Sequence, residues 1–396
     1  MKQGRIAITG MGAICSLGND VSAISDALIS GKRGIRPLQK LDLGFPDLFL
    51  GEVQLTNKEL AALLRDKVKD LPRSRTALLG LVAAFSAIGN SASEERTVVI
   101  SASTVGGMDL SEQHFSKWNS GNLDMIADAV EHPVGSHTAY IAQAIGSKAM
   151  RTTISTACSS SANAMILGGQ LLRTGRADRV LVGGSDALCK FTIEGFMALS
   201  AMDTTGVTKP FSNERNGMNL GEGAAYLVMQ REEDVTDKIE ILAYFLGGSN
   251  RNDAYHQTAT SPDGHGPYLA MKDCIEKAGL KPNDIDHINA HGTGTENNDS
   301  TELAAMERLF GSVPDFTTTK ALTGHTLAAA GALEAVIAII SMREGIIPVG
   351  YSTTAPIEGR SAMPVSKSIR RQVKNVLSNS LGFGGNDTSI LLSSAE

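Results

Sequence analysis

Cysteine is scarce in this chain. Only four cysteines are spread along its 396 residues, at Cys15, Cys158, Cys189 and Cys274. They are too few and too widely spaced for a disulfide framework, and no two of them are paired as in a zinc site. We therefore expect reduced thiols, one of which could be reactive.

A basic excess and long apolar runs are also missing. The formal net charge is −6, so the chain as a whole lacks the excess of cations that is typical of a general nucleic-acid binder. A local basic patch is still possible. No segment is long and apolar enough to span a bilayer, and the N-terminus has no signal-type apolar region. These absences predict a soluble cytoplasmic protein with no membrane span and no nucleic-acid partner.

Proline is rare as well, with 12 residues against 41 glycines. The glycines follow no G-x-y period and therefore indicate tight turns and close backbone approaches. Apolar side chains make up 42% of the sequence, enough for a sizeable core in one large domain or two halves. Short strand-like runs alternate with helical patterns and predict an α/β fold. The clearest strand-like runs are 5–9, 97–102, 151–156, 179–182 and 239–245.

A charged stretch, 231–238, separates two series of such units. We predict an N-terminal half, 1–240, that carries Cys158, and a C-terminal half, 241–396, that carries the histidines described below. Cys158 precedes the small-residue helix SSSANAMILGGQLL, and His325 precedes TLAAAGALEAVIAII. In each half a chemical group thus precedes a helix of small residues. This similarity indicates either a duplicated fold or two helices that simply pack closely in a large core.

Cys158 lies between a β-branched run and a helical pattern, in TTISTACSSSANAMILGGQ. Its thiol is therefore predicted at a strand-to-helix turn, where the positive end of the helix and its free N–H groups favour thiolate and can hold an oxyanion. We predict that Cys158 is a nucleophile near neutral pH. The alternative is a small buried hydrophobic residue, which is the commoner use of a lone cysteine.

Two histidines follow in IDHINAHGTGTENNDSTEL. A strand-like run delivers His291 into a loop of glycines and threonines, ahead of a helix that opens near Asp299, so we predict that His291 faces a cleft. His287 would share a face of the strand with His291, which could suggest a metal site. No third ligand of a suitable type is near, so His287 is more simply a core or strand-edge histidine.

Lys320 and His325 are five residues apart in TTKALTGHTLAAAGALEA, around a glycine and before a helix of small residues. A cation beside a histidine favours the neutral imidazole, which can donate one N–H to a developing oxyanion. Taken alone, Lys320 would be interpreted as a surface lysine. Lys320 and His325 together predict a site that contains both a lysine ammonium group and an imidazole.

The tail, 376–392, predicts a strand, a glycine turn and a second strand. Its turn, SNSLGFGGND, places Phe383 between glycines, so the backbone of Phe383 can approach a ligand closely and its amide could be an oxyanion donor. The alternative is a plain hairpin tip.

Signatures of other reaction classes are incomplete. GMGAICSLG, after the first strand, is near a dinucleotide fingerprint but lacks its third glycine in register, and no acidic residue closes a second strand. No G-x-S-x-G nucleophile elbow, P-loop or zinc-type cysteine pair occurs in the sequence. These classes are therefore set aside.

Four segments, in this order, resemble the β-ketoacyl-acyl-carrier-protein synthase family: TACSSS, HGTGTENND, KALTGHTLAAAGALEA and GFGGND. The likeness is to the elongating, Cys-His-His branch, either synthase II-like or of the type II polyketide and polyene kind. Three more segments match: ITGMGAICSLGND, KPFSNERNGMNLGEGAA and NDAYHQTATSPDGHG. The resemblance implies the thiolase fold, with two duplicated α/β halves in a layered α-β-α-β-α core, and a dimer whose partner loop helps to shape the acyl pocket.

The same resemblance implies roles for the residues of these motifs. Cys158 would accept the acyl group, and His291 and His325 would polarise the malonyl thioester while Lys320 holds their electrostatics. The amides of Cys158 and Phe383 would form the oxyanion hole, and the Phe383 ring would separate the acyl and malonyl compartments. Three further residues are expected to bind substrate: Thr293, Thr295 and Gly384.

A basic entrance for an acidic acyl carrier protein is expected in RDKVKDLPRSR. The residues that would dock the carrier are Lys67, Lys69, Arg73 and Arg75. A solvated helix face would explain these charges about as well.

The activity implied by the resemblance is a decarboxylative Claisen condensation, in which an acyl thioester on Cys158 reacts with malonyl-carrier to give a 3-ketoacyl-carrier without a metal or organic cofactor. A thiolase would carry a second cysteine in the glycine turn, and an initiating synthase would carry asparagine in place of His325. The catalytic subunit paired with a non-catalytic chain-length factor would look like this chain, so a homodimer and a heterodimer with a ketosynthase-like paralogue are both open.

The motifs also depart from the housekeeping pattern. Asn386 and Asp387 stand where Thr-Asn is usual, and KAMRTTISTAC lacks the usual Gly-Pro before the nucleophile strand. These differences leave both primary fatty-acid elongation and a specialised polyene or polyketide pathway open.

Overall fold

The computed structural model describes residues 4–89, 95–350 and 355–395. Its strands are β1 (Ile6–Cys15), β2 (Arg36–Pro37), β3 (Phe49–Leu50), β4 (Val98–Ala102), β5 (Arg151–Ile154), β6 (Arg179–Asp186), β7 (Gly223–Arg231), β8 (Ala243–Asn252), β9 (His287–Asn289), β10 (Phe316–Thr317), β11 (Ile346–Ile347), β12 (Ile369–Arg370), β13 (Asn375–Gly382) and β14 (Asn386–Ser394). The outermost ends of the two predicted halves, residues 1–3 and 396, lie outside the described residues.

Eleven α-helices lie between these strands in the described ranges. They are α1 (Val21–Ile29), α2 (Asn57–Leu64), α3 (Arg75–Ile88), α4 (Met108–Asn119), α5 (Ser136–Ala144), α6 (Ser160–Arg173), α7 (Lys190–Ala198), α8 (His265–Lys277), α9 (Glu296–Phe310), α10 (Lys320–Thr323) and α11 (Ala330–Glu344). Short 3₁₀ turns lie at Ile126–Glu131, Glu232–Asp234, Pro282–Asp284 and Leu327–Ala329. Within the same ranges, no helix is both long and apolar enough to cross a membrane.

The predicted strands are confirmed, with shifts at their ends. Two of the five strand-like runs contain β4 and β5, two contain the first part of β1 and of β6, and the fifth, 239–245, overlaps the first three residues of β8, which begins only at Ala243. The tail forms the predicted hairpin, in which β13 and β14 pair antiparallel on either side of the glycine turn. The strand ends shift because the pattern of apolar residues indicates where a strand lies but not at which residue its last backbone hydrogen bond forms.

Ten strands form one mixed sheet, in the order β10-β9-β13-β14-β8-β1-β7-β6-β4-β5. From the centre outward, each half has two antiparallel pairings followed by two parallel ones: β1-β7-β6 and then β4 and β5 on one side, β8-β14-β13 and then β9 and β10 on the other. The halves join where Ile6–Ile8 pairs with Ala243–Phe245. The repeated connectivity decides between the two sequence interpretations in favour of a duplicated fold.

The helices lie in three layers. α3 packs on β1, β6 and β7, while α8 packs on β8, β13 and β14. Between the two halves of the sheet lie α6 and α11, which contact strands of both. α11 is buried continuously from Ala330 to Met342, and its small residues permit this, since a Cβ added at Gly331 would lie 2.9 Å from the Cβ of Ala162 on α6. The predicted layered α-β-α-β-α core is confirmed.

Candidate active site

Cys158 lies in the turn between β5 and α6, as the sequence predicts. Ala157 before it has a φ of 52°, a left-handed conformation that is costly for a residue with a Cβ and recurs at functional turns. Two side chains stabilise the turn: Ser160 Oγ accepts the N–H of Thr156 at 2.8 Å, and Ser159 Oγ donates to the Thr156 carbonyl at 2.8 Å. The thiol is thus presented just before the first turn of α6.

Burial controls the ionisation of this thiol. Cys158 is 6% exposed, and burial raises its pKa to about 12, although the nearby Lys320 acts to lower it. The direction is opposite to the predicted thiolate near neutral pH, because the loss of hydration outweighs the attraction of one cation. The thiol is therefore protonated at pH 7, and it could act as a nucleophile only beside a proton acceptor.

Two imidazoles lie beside the thiol. A ligand atom from each of Cys158, His291 and His325 lies within 4.8 Å of the other two, and the two rings meet edge to face with centroids 5.3 Å apart. Burial, and then the positive charge of Lys320, hold the pKa of both histidines well below its usual value. Both rings are therefore neutral at pH 7, as the sequence predicts for His325, but burial is the larger cause.

The backbone fixes the tautomer of His325. Its Nδ1 accepts the N–H of Leu327 at 3.2 Å, so the neutral ring carries its proton on Nε2, which has no partner among the described residues. In this tautomer His325 can donate through Nε2 but can neither accept a proton nor bind a metal ion there. Nδ1 of His291 also lacks a partner in the described part of the chain, so either nitrogen of that ring can carry the proton.

Lys320 is a buried residue rather than a surface lysine. It is 2% exposed, and its Nζ bonds Oε1 of Glu334 on α11. Burial raises the pKa of Glu334 and Lys320 lowers it. Sequence reasoning missed Glu334 because one acidic residue in a helix of small residues matches no local motif. Its isolation within an otherwise apolar helix is the signal that could have found it, since an unpaired buried carboxylate is rare.

Two more buried carboxylates, neither predicted from sequence, hold the loops that carry the histidines. Glu302 accepts the N–H groups of His291 at 2.8 Å and Gly292 at 2.9 Å. Asp186, at the end of β6, accepts the N–H of Ala328 at 2.8 Å, shortly after His325. Hydrogen bonds from the backbone to a carboxylate are strong where water is excluded, so these groups restrict where each ring can lie.

Two cavities meet at the thiol. The first, about 300 Å³ and here called the polar cavity, has about as much polar as apolar lining, which includes His291, His325, Thr293, Thr295 and Arg215. The second, about 320 Å³, is mostly apolar, and its lining includes Val105, Met108, Phe191, Phe196 and Leu327. Cys158 and Phe383 line both cavities, and the Phe383 ring stacks on Phe196 with centroids 5.7 Å apart. Phe383 therefore lies at the boundary between a polar and an apolar compartment.

In the glycine turn, Gly382 rather than Gly384 approaches the nucleophile. The N–H of Gly384 donates to the Gln257 carbonyl at 2.8 Å, its carbonyl accepts from Asn252 Nδ2 at 2.7 Å, and the residue lines neither cavity. The polar groups of Gly384 thus bind the end of β8 and the segment after it, and substrate binding by Gly384 stays a prediction. Thr293 and Thr295 do line the polar cavity, with their hydroxyls 2.9 Å apart.

Replacing Gly382 with alanine is expected to lower the free energy of unfolding by about 1–3 kcal/mol, because the site is already fully packed. The added Cβ would lie 2.8 Å from the Thr156 carbonyl and 3.4 Å from the Cys158 nitrogen. Urea denaturation measures the change. Gly195→Ala on α7 is the matched control, since nothing lies within 4 Å of its added Cβ, and equal effects of the two variants would contradict the prediction.

The predicted carrier-docking set is only partly at the surface. Lys67 and Lys69 are exposed in a loop after α2, and Arg73 is exposed with its guanidinium 2.7 Å from Asp128. Arg75 is buried in an ion pair with Glu222. The prediction for Arg75 is therefore wrong, because a carrier cannot contact a side chain enclosed between α3 and the core.

His287 is a core histidine, as its simpler interpretation predicts. Its Nε2 lies 3.0 Å from Thr317 Oγ1, and burial lowers its pKa to about 3. Among the described residues, only Cys158, His291 and His325 are spaced as metal ligands. The Nε2–H tautomer of His325 opposes that use.

Residues 3–235 match the sequence family described as "Beta-ketoacyl synthase, N-terminal domain", and residues 242–353 match "Beta-ketoacyl synthase, C-terminal domain". The chain belongs to the β-ketoacyl synthase family. The 3-oxoacyl-[acyl-carrier-protein] synthase 2 of Coxiella burnetii is similar to this synthase, with 31% identity over 99% of each chain. The resemblance stated from the motifs is thus confirmed, and the synthase is an acyltransferase of the ketosynthase type.

Solved structures are similar over the full length of this synthase. The ishigamide ketosynthase/chain length factor superposes with a TM-score of 0.91 at 27% identity, covering 100% of both chains. A ketosynthase of Xenorhabdus doucetiae, in complex with its chain length factor, has a TM-score of 0.84 at 30% identity and covers 99% of this chain and 98% of its own. The predicted thiolase-like fold is confirmed by these superpositions.

Proposed function

We propose that this synthase elongates acyl chains by decarboxylative Claisen condensation. An acyl group held on Cys158 reacts with malonyl-acyl-carrier protein to give 3-ketoacyl-acyl-carrier protein, in fatty-acid or in polyene or polyketide synthesis. One observation carries the proposal: a thiol and two neutral imidazoles lie where a polar cavity meets an apolar one. The apolar cavity suits an acyl chain, and the polar cavity suits the malonyl group and the pantetheine arm.

In the first half-reaction, the Cys158 sulfur attacks the thioester carbonyl of the acyl-carrier. The thiol proton passes to His291, whose tautomer is free, and from there to the departing carrier thiolate. The amides of Cys158 and Phe383 stabilise the tetrahedral oxyanion. His325 does not take the proton, because its Nδ1 already accepts the N–H of Leu327.

In the second half-reaction, the malonyl carboxylate leaves as carbon dioxide and an enolate forms. His325, through Nε2–H, and His291 donate hydrogen bonds to the enolate oxygen, each worth a few kcal/mol when well placed. The enolate carbon then attacks acyl-Cys158, a carbon–carbon bond forms, and the Cys158 thiolate that leaves takes a proton from solvent. Burial, and then the positive charge of Lys320, keep both imidazoles neutral.

We also propose the division of the chain into residues 1–240, with the nucleophile, and 241–396, with the histidines and the glycine turn. The repeated strand order on either side of the β1–β8 pairing supports this division. Lys67, Lys69 and Arg73 are proposed to dock the acidic carrier, which their exposure supports. We place the protein in the cytoplasm, where carrier-bound substrates are made.

A partner subunit is proposed to cover the apolar cavity. Apolar side chains of its lining are exposed, since Phe191 is 63% and Leu199 is 52% exposed. Exposed apolar surface beside a cavity fits an interaction site. A second copy of the chain would form a homodimer. The alternative is a chain-length-factor-like paralogue, which the similarity to the two ketosynthases with chain length factors favours.

The intact mass of the protein after incubation with a panel of acyl-carrier thioesters tests this function. We expect a mass gain equal to the acyl group, and no gain for Cys158→Ala. The acyl group that reacts fastest would distinguish a saturated from a polyene pathway. If no acyl group adds, either to the chain alone or in the presence of candidate partner subunits, the catalytic proposal fails.

A further inference from the structure

The carboxyl group of Asp387 is enclosed without a partner. Asp387 lies on β14, just after the glycine turn. It stands where the motif of the β-ketoacyl synthase family usually has asparagine. The residue is 0% exposed, and neither side-chain oxygen has a hydrogen-bond partner among the described residues. An ionised carboxylate in such a place would lose its hydration with no compensation, so the neutral acid is strongly favoured.

The groups that face Asp387 make ionisation still harder. A Cβ added at Gly266, in the first turn of α8, would lie 2.0 Å from Oδ2 of Asp387 and 3.0 Å from the Cβ of Asp253. Besides burial, the charges of Asp253 and of Glu302 on α9 raise the pKa of Asp387 to about 8. The neighbouring cation, Arg251 on β8, is paired with Asp273 of α8. His265, the first residue of α8, is exposed to solvent.

Asp253 organises one wall of the polar cavity. Its carboxylate accepts the N–H groups of Tyr255 at 3.1 Å and Ser261 at 2.8 Å, so it shapes the segment 253–261. This segment binds the glycine turn, where the N–H of Asp253 donates to the Gly385 carbonyl at 3.3 Å and the Gly384 N–H donates to Gln257. Residues 258–260 of the segment line the polar cavity.

Glu302 holds the opposite wall, since its carboxylate accepts the N–H of His291. Two acidic groups thus act on Asp387: Asp253, which shapes the covering segment, and Glu302, which positions His291. A negative charge on Asp387 would repel both. The repulsion between Asp387 and Asp253 would push the segment 253–261 away from the glycine turn, and only a few hydrogen bonds join the two.

We propose that Asp387 is a positioning residue that must be protonated for the segment 253–261 to stay closed on the glycine turn, and that its ionisation slows the reaction of Cys158. The proton leaves to solvent when the pH rises. Glu302, whose pKa burial raises to about 7, titrates in a neighbouring range in both the wild type and the variant. The acid form and an asparagine have nearly the same shape, so Asp387→Asn preserves the neutral state at every pH.

The test is the rate of Cys158 acylation, measured by intact mass against pH for the wild type and for Asp387→Asn. Because the protonated fraction falls tenfold for each pH unit above the pKa, the ratio of the variant rate to the wild-type rate should rise about tenfold between pH 7 and pH 9. Taking the ratio cancels titrations that both proteins share. Asp237→Asn, at an exposed carboxylate between the halves, is the control and should give a flat ratio. A flat ratio for Asp387→Asn would overturn the proposal.

The rate measurement rests on the proposed function, so a second readout is independent of it. The folded pKa of Asp387 lies above its unfolded value, so its contribution to wild-type stability is full at low pH and is lost as the pH rises through about 8. Asp387→Asn does not lose it, and the melting temperature of the variant relative to wild type should increase between pH 6 and pH 9. A difference that stays constant across this range would refute the role of Asp387, whereas failure of every thioester to acylate Cys158 would refute only the proposed function.

Discussion

Replacing His325 with alanine is expected to lower the rate of condensation about 10²- to 10³-fold, the usual cost of removing one oxyanion donor from an enclosed site. The effect should fall on decarboxylation. Nε2–H of His325 is the one donor of the pair that the backbone presets, through the 3.2 Å hydrogen bond from Leu327 to Nδ1. Release of carbon dioxide from malonyl-carrier, followed separately from acylation, measures this step.

The two histidines should differ in the half-reaction that they affect. Because Nδ1 of His325 is occupied, His325→Ala should still be acylated on Cys158, whereas His291→Ala should lose acylation as well as decarboxylation. His325→Asn is the informative companion variant, since its amide can restore one N–H donor and should recover part of the decarboxylation rate. Equal loss of acylation in both alanine variants would contradict the assignment of the proton acceptor.

Arg75→Met is expected to lower the free energy of unfolding by about 3–5 kcal/mol, the usual cost of leaving one partner of a buried ion pair uncompensated. Arg75 Nη2 lies 2.6 Å from Glu222 Oε1, Nε lies 2.8 Å from Oε2, and both residues are almost fully enclosed. Glu222 also accepts the N–H of Val53 at 2.9 Å and of Leu188 at 3.1 Å. The Arg75–Glu222 pair therefore joins the start of α3 to the segments that contain Val53 and Leu188.

Urea denaturation measures this loss, and two variants serve as controls. Arg75→Met with Glu222→Gln removes both charges and should recover part of the stability. Arg343→Met breaks an exposed pair with Glu240 and should cost less than about 1 kcal/mol. If Arg75→Met instead left the stability unchanged and weakened only carrier binding, the surface role first predicted from the sequence would be right.

The residues proposed to perform the chemistry could be found from the sequence because each is embedded in a local pattern. A β-branched run before Cys158, a strand before His291 and a glycine turn around Phe383 each indicate where the backbone turns, and all three residues line the polar cavity. The partners of these residues carry no such pattern. Glu334, Glu302 and Asp186 are single acidic residues in helices or at a strand end, and only their enclosure distinguishes them from surface charges.

Predictions that depended on exposure were the ones that failed. Arg75 follows a run of charged residues and was assigned to the surface, but it begins α3, which packs on the sheet, and it finds Glu222 147 positions later in the chain. Which glycine of the turn approaches Cys158 also depends on register, and it is Gly382, whose added Cβ would lie 3.4 Å from the Cys158 nitrogen. The thiolate expected for Cys158 failed for a related reason, since burial reverses the direction of its pKa shift.

The sequence by itself determined the family, the α/β alternation, the candidate nucleophile, the two histidines and the glycine turn, because these depend on short patterns that local backbone preferences translate directly. Only the tertiary structure decided which charges are enclosed, which nitrogen of His325 carries the proton, and which carboxyl group, Asp387, is left without a partner. Those properties depend on distances between residues that are remote in sequence and on the exclusion of water, neither of which any local pattern encodes.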